Sequence, residues 1–164
     1  MMKNLLLDNQ QLKQKFMTDL LITGIITIMG AQFGVALTSS IIVHPILKMV
    51  SRSAAIEVFY PFLDKTHFAV LIMFIIVSIF ALVLSIITKN WWWFSISALM
   101  HLNGPYTLKF MMPTNRRLMD NNVDANSEQT KKDLLNWGSL HAVRTVWNGL
   151  IFLAFIILLV YYNN

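Results

Sequence analysis

A histidine and an arginine lie one helical turn apart in the last hydrophobic segment of the chain. Spacings of four, three and four residues place on one helical face the residues Trp137, His141, Arg144 and Asn148. A histidine is a natural general base near neutral pH, and an arginine can stabilise an oxyanion. The hydrophobic segments contain no acidic residue to neutralise Arg144. This leaves either an anion site or an arginine that reaches the lipid headgroups.

Other polar residues fall at corresponding ends of the hydrophobic segments. His44 lies near the end of the first segment, and His67 begins the second. His101 and Thr107 lie on either side of Gly104-Pro105 in the third. A proline-broken helix is tolerated at membrane depth where it lines a cavity, and the alternative for His101 is a structural kink with a hydrogen-bonded ring. We therefore predict that all four histidines lie in one half of the molecule.

The composition shows what kind of elements must hold these residues. Hydrophobic residues make up 56% of the 164 residues and charged residues 13%, with a mean hydropathy of +0.58. Soluble domains typically contain about 45–50% hydrophobic residues and about 25% charged residues. These values exclude a soluble domain, a disordered chain and a nucleic-acid-binding protein, despite a pI of about 9.6. The absence of cysteine excludes thiolate metal sites and cysteine nucleophiles, and only two glutamates argue against a carboxylate di-iron site.

Charged residues divide the sequence into four hydrophobic segments, each close to the roughly 20 residues that cross a bilayer. Because backbone groups must pair within each segment in lipid, we predict helices. The predicted fold is all-α, an integral membrane four-helix bundle with residues 1–164 in a single domain. Its membrane helices are expected at about 20–47, 66–88, 90–110 and 137–162. Residues 1–19 are expected to lie at the membrane interface, and about 111–133 to form a long polar loop.

The distribution of lysine and arginine predicts the orientation in the membrane. Four of these cations lie on the side of the two termini, and eight, or nine with Arg144, lie on the side of the large loops. The positive-inside rule then places the large loops in the cytoplasm and both termini on the non-cytoplasmic side. We expect the membrane to be a cell inner membrane.

Two motifs resemble those of the anthrone oxygenase-like family of small four-helix membrane proteins. The first runs Pro105-Tyr-Thr107 and then Pro113-Thr-Asn115-Arg-Arg-Leu118, and the second joins Trp137, His141 and Arg144. Both occur in order after a glycine-containing first helix that ends in His44-Pro45. The resemblance covers roughly residues 20–160. It implies oxidation of an anthrone to an anthraquinone with dioxygen, without a metal or a flavin.

This resemblance implies roles for individual residues. His141 or His44 would abstract a proton from an aromatic or polyketide-like substrate. Arg144, with Asn115, would stabilise the resulting phenolate or peroxide, and Trp137 would form an aromatic wall. The expected substrate-binding set is completed by Thr107, Asn148 and His101. The expected partners are the lipid bilayer, a small aromatic substrate and dioxygen.

Two other functions stay open at this point. His67 and His101 are not part of the family motifs, and the clustered histidines allow a haem- or metal-binding redox protein, although no His-x-x-x-His spacing occurs. The other alternative is a non-catalytic membrane subunit or a small-solute carrier. The sequence does not reveal the substrate, the cofactor content or the oligomeric state.

Overall fold

A computed structural model describes residues 2–163 of the protein, with side chains over residues 8–162. The described residues are helical apart from short connections and contain no strand. Three of its helical arms are long: α1 (Met2–Thr38) runs through a π-helical turn, π1 (Ser39–Val43), into α2 (His44–Met49), while α3 spans Arg52–Thr88 and α7 spans Glu128–Asn163. The fourth arm is broken into α4 (Trp92–Met100), α5 (Asn103–Tyr106), π2 (Thr107–Met111) and α6 (Met112–Leu118). The predicted all-α four-helix bundle is confirmed.

Three of these arms are long and apolar enough to cross a bilayer. They are Asp8–Met49, Arg52–Thr88 and Glu128–Tyr162. Their outer faces expose large apolar side chains, among them Phe68, Ile75 and Val146. Such surfaces are stable in lipid and unfavourable in water, as expected of a membrane protein. The segment predicted at 90–110 is not a continuous helix, since α4 ends at Met100.

Prolines account for the irregular turns. Pro105 has no N–H to donate to the His101 carbonyl, so the Gly104 N–H takes that carbonyl at 2.9 Å and the helix tightens around residues 101–104. In π1 the His44 N–H bonds back to the Ser39 carbonyl, and Pro45 follows directly. In π2 the Met112 N–H bonds back to the Thr107 carbonyl, and Pro113 follows. Each π turn adds one residue and is a common feature of functional sites.

The helices extend beyond the predicted membrane segments. The backbone of α1 is helical from Met2, so residues 2–19 continue directly into the first arm, while Met1 lies outside the described residues. The helix α3 begins at Arg52 because Ser51 caps it, with its Oγ accepting from the Ala54 N–H. Within the predicted loop 111–133, only residues 119–127 are non-helical. Asp120 and Asp124 form tight side-chain turns there, and both accept a backbone N–H two residues on.

The four arms pack in a square, in which each contacts two neighbours. Helix α1 packs against α3 and α7, and α4 packs against the same two helices. The order around the bundle is therefore α1, α3, α4, α7. The main core lies between them and is formed by fully buried residues including Ile25, Met29, Leu84, Trp93 and Phe155. A second apolar cluster surrounds Trp137 at the end of the bundle where the fourth arm is broken.

At Gly138, helix α7 packs closely against the His44 side chain of the first arm. A Cβ added at Gly138 would overlap the His44 ring, whereas one added at Gly34 would meet nothing within 4 Å. We predict that Gly138→Ala destabilises the protein by about 1–3 kcal/mol because a packed ring must move. Gly34→Ala is the matched control and should stabilise α1, since alanine favours a helix by about 1 kcal/mol over glycine. Thermal unfolding followed by circular dichroism in detergent checks this, and equal melting temperatures for the two variants would contradict the close packing.

Candidate active site

A cavity of about 330 Å³ opens in the half of the bundle that holds the broken arm. Its apolar walls come mainly from α1, α3 and the segment around π2, and include Val35, Phe62, Val70 and Phe74. Its polar lining consists of Thr66, His67, His101, Asn103, Thr107, His141, Arg144 and Asn148. The volume is at the lower end of the range of about 300–1,000 Å³ that is usual for small-molecule sites.

The cavity brings together most of the predicted site residues but not all of them. It is lined by His141, Arg144, His101, Thr107 and Asn148. The three predicted residues outside its lining are His44, Asn115 and Trp137. Sequence reasoning placed no functional role on Asn103, and it left His67 outside the family motifs, yet both line the cavity.

His141 is tethered by two hydroxyl groups that connect α7 with the first arm. Its Nδ1 lies 3.2 Å from Ser40 Oγ, which lies 2.7 Å from Thr145 Oγ1. Thr145 Oγ1 in turn lies 3.0 Å from the Ala36 carbonyl, which can only accept a hydrogen bond. A chain of donors that ends on this carbonyl runs from His141 Nδ1–H to Ser40, then to Thr145. With this direction of donation, the proton of His141 is on Nδ1 and its lone pair is on Nε2.

Ser40 owes its place to the π1 turn. It is the second residue of that turn, and the extra residue of a π turn rotates the chain that follows it about the helix axis. His44 follows the same turn. Its ring packs against α7 at Gly138 and does not line the cavity. The polar run 38–40 within an apolar segment is the signal by which Ser40 can be found in the sequence.

Arg144 carries a charge with no carboxylate beside it. Its Nε is buried without a hydrogen-bond partner, and its Nη1 has only the sulfur of Met111, at 3.8 Å. The ion pairs in the described part of the chain join other residues, namely Lys65–Asp64, Arg117–Asp133 and Lys131–Glu128. Arg144 lines the cavity and also an apolar groove of about 540 Å³ between α5 and α7. A partly buried cation of this kind is stabilised by an anion or by a developing oxyanion.

His141 and Arg144 thus line one pocket of a bundle with membrane-type helices. The two sequence motifs occur along the chain in the expected order. Residues 60–156, more than half of the chain, match the family model of anthrone oxygenase. The chain belongs to the anthrone oxygenase family. This confirms the resemblance of the motifs, and the matched range contains the polar lining of the cavity, although Ser40 lies outside it. No curated protein and no solved structure matches the chain.

Two contacts hold the polar face of this anthrone oxygenase family member in place. Asn103 Nδ2 donates to Asn148 Oδ1 at 2.9 Å and joins the broken arm to α7 in the interior. Arg117 forms a bidentate pair with Asp133, at 2.8 and 2.6 Å, and joins α6 to the start of α7. These hydrogen bonds to Asp133 raise the pKa of Arg117 above its ordinary value, so the guanidinium stays charged. Both contacts orient the helix that carries His141 and Arg144.

The predicted site residues that lie outside the cavity lining pack behind this polar face. Trp137 is fully buried, with its ring 5.0 Å from that of His141 and 5.3 Å from that of Phe59. The buried atoms Trp137 Nε1, His44 Nε2 and Asn115 Oδ1 have no hydrogen-bond partner in the described part of the chain. No group of three or more His, Asp or Glu side chains among the described residues is placed to hold a metal ion.

Proposed function

We propose that this protein is an oxygenase of the inner membrane that oxidises an anthrone-like aromatic substrate with dioxygen and without a cofactor. The large loops face the cytoplasm and both termini lie on the other side. The observation that carries the proposal is the pairing, in one cavity, of the tethered His141 with the unpaired Arg144. Membership of the anthrone oxygenase family supports the same chemistry.

The reaction starts with the removal of a proton from the methylene carbon of the substrate. His141 Nε2 accepts this proton, because Nδ1 is engaged with Ser40. The electron pair of the C–H bond spreads through the rings to the carbonyl oxygen, which becomes a phenolate. Arg144 stabilises that oxygen, and the apolar walls strengthen the interaction by excluding water.

Oxygen is then added to the electron-rich carbon. This carbon passes electrons to dioxygen and forms a C–O bond, which gives a peroxide anion. The imidazolium of His141 returns its proton, and a hydroperoxide results. Loss of the remaining hydrogen on that carbon, with cleavage of the O–O bond, forms the second carbonyl group and releases water. One anthrone and one dioxygen give one anthraquinone and one water, so no external reductant is needed.

The proposal predicts turnover of anthrone itself by the purified protein in lipid nanodiscs. An oxygen electrode and the absorbance of anthraquinone should record one quinone formed per oxygen consumed, at a rate well above that of empty nanodiscs. Treatment with a chelator should leave the rate unchanged, and no flavin or nicotinamide should be needed. A rate equal to that of empty nanodiscs, or activity that returns only with an added metal, would contradict the proposal.

A further inference from the structure

A second histidine in the same cavity is also tethered by a hydroxyl group. His101 Nε2 lies 2.7 Å from Ser78 Oγ, which lies 2.8 Å from the Phe74 carbonyl. When Ser78 donates to this carbonyl, which can only accept, it accepts from His101 Nε2–H. In this arrangement the lone pair of His101 is on Nδ1. Its ring packs beside Phe74 and forms part of the cavity wall.

The two tethered histidines belong to opposite sides of the bundle. His141 lies on α7 and is held by π1 of the first arm, and these two arms are neighbours in the square. His101 follows the end of α4 and is held by α3, the other pair of neighbours. The cavity is thus lined by one tethered histidine from each of these two pairs of arms.

In the proposed reaction the imidazolium of His141 protonates the new peroxide, so oxygen adds on the face from which the first proton left. A second base is then needed on the other face of the substrate. The methylene carbon of an anthrone loses both of its hydrogens, one before oxygen adds and one after. The anion formed by the first loss is flat at this carbon. When oxygen adds to the face from which the first proton left, the remaining hydrogen points to the opposite face. A single base on one wall cannot reach both hydrogens unless the substrate turns over in the pocket.

We propose that His101 is a second catalytic base, which completes the reaction that His141 begins; this inference rests on the proposed function. His101 Nδ1 accepts the last proton of the reacting carbon. The electron pair of that C–H bond becomes the second bond of the new carbonyl group, and the O–O bond breaks. The leaving hydroxide takes the proton from His101 and departs as water, so the ring returns to its neutral state.

The test is the ratio of quinone formed to oxygen consumed in the His101→Gln variant. We expect this ratio to fall from one to about 0.1 or below in the first turnovers, because general-base steps contribute about 10²–10⁴ in rate. The missing product should accumulate as a hydroperoxide, with the mass of anthrone plus dioxygen. Ser78→Ala, which removes the tether, should show a smaller fall in the ratio, and Ser78→Thr should restore it.

Arg116 supplies the control, since it is exposed and lies outside the cavity lining. Arg116→Gln should keep the ratio at one. A ratio of one in His101→Gln, or the same hydroperoxide in both glutamine variants, would overturn the role of His101 and leave the proposed function standing. If wild-type protein consumes no oxygen with anthrone, both proposals fail. If His101→Gln does not fold, the ratio in Ser78→Ala decides, and a value of one there overturns the inference.

Discussion

His141→Gln should lower the rate of oxygen uptake with anthrone by about a thousandfold, within the range of about 10²–10⁴ for loss of a general base. Glutamine is similar in size and can still hydrogen-bond to Ser40, but it has no basic nitrogen for the substrate proton. The oxygen electrode measures this directly on protein that retains its helical circular dichroism. The loss should appear in kcat and kcat/KM alike, because the proton transfer belongs to the transition state.

His44→Gln is the comparison that separates the two histidines proposed as the base. The His44 ring does not line the cavity and packs against Gly138. We expect this variant to lose far less activity than His141→Gln and to show its main effect as a lower melting temperature. A larger loss of oxygen uptake in His44→Gln than in His141→Gln would mean that the base has been assigned to the wrong residue.

Arg144→Gln should lower kcat by about 10²–10³, the usual cost of removing one group that stabilises a developing oxyanion. Its guanidinium has no carboxylate partner, so its charge is available to the substrate phenolate. Arg144→Lys should recover part of the rate, because lysine keeps the charge but lacks the planar fork of donors. Steady-state kinetics with anthrone in nanodiscs give both values.

Arg116→Gln is the matched control for this charge. Arg116 is exposed and lies outside the cavity lining, so its loss changes the net charge equally without touching the site. Its kcat should stay within about twofold of that of the wild type, as is usual for a surface substitution. Equal losses in the Arg144 and Arg116 variants would show that the general positive charge, and not an oxyanion contact, determines the rate.

The parts of the site that could be predicted from the sequence depend on local helix geometry. His141 and Arg144 share a face of α7 because their spacing alone places them there. The length and composition of the hydrophobic segments were likewise enough to predict the all-α bundle. Both features arise within a single helix, so no knowledge of the neighbouring arms was needed.

The remaining features depend on contacts between arms or on irregular turns. The tether from Ser40 to His141 joins residues that are 101 positions apart. The break after Met100 follows from the hydrogen bond that Pro105 cannot make, but the sequence does not show which carbonyls are then shared. The predicted polar loop is helical in part because Pro113 lies in the first turn of α6 and the Arg117–Asp133 pair anchors that helix to α7. Asn115 lies within that helix and outside the cavity lining for the same reason.

The most direct test of oxygenase activity is incorporation of ¹⁸O from labelled dioxygen into anthraquinone. Wild-type protein and the double variant His141→Ala, Arg144→Ala are each incubated with anthrone under ¹⁸O₂. The mass of the quinone formed in the first turnovers is then measured by mass spectrometry. The account predicts one ¹⁸O atom in each quinone formed by the wild type, at a rate far above that of the double variant. Quinone without the label, or labelled quinone formed no faster than in the double variant, would contradict it.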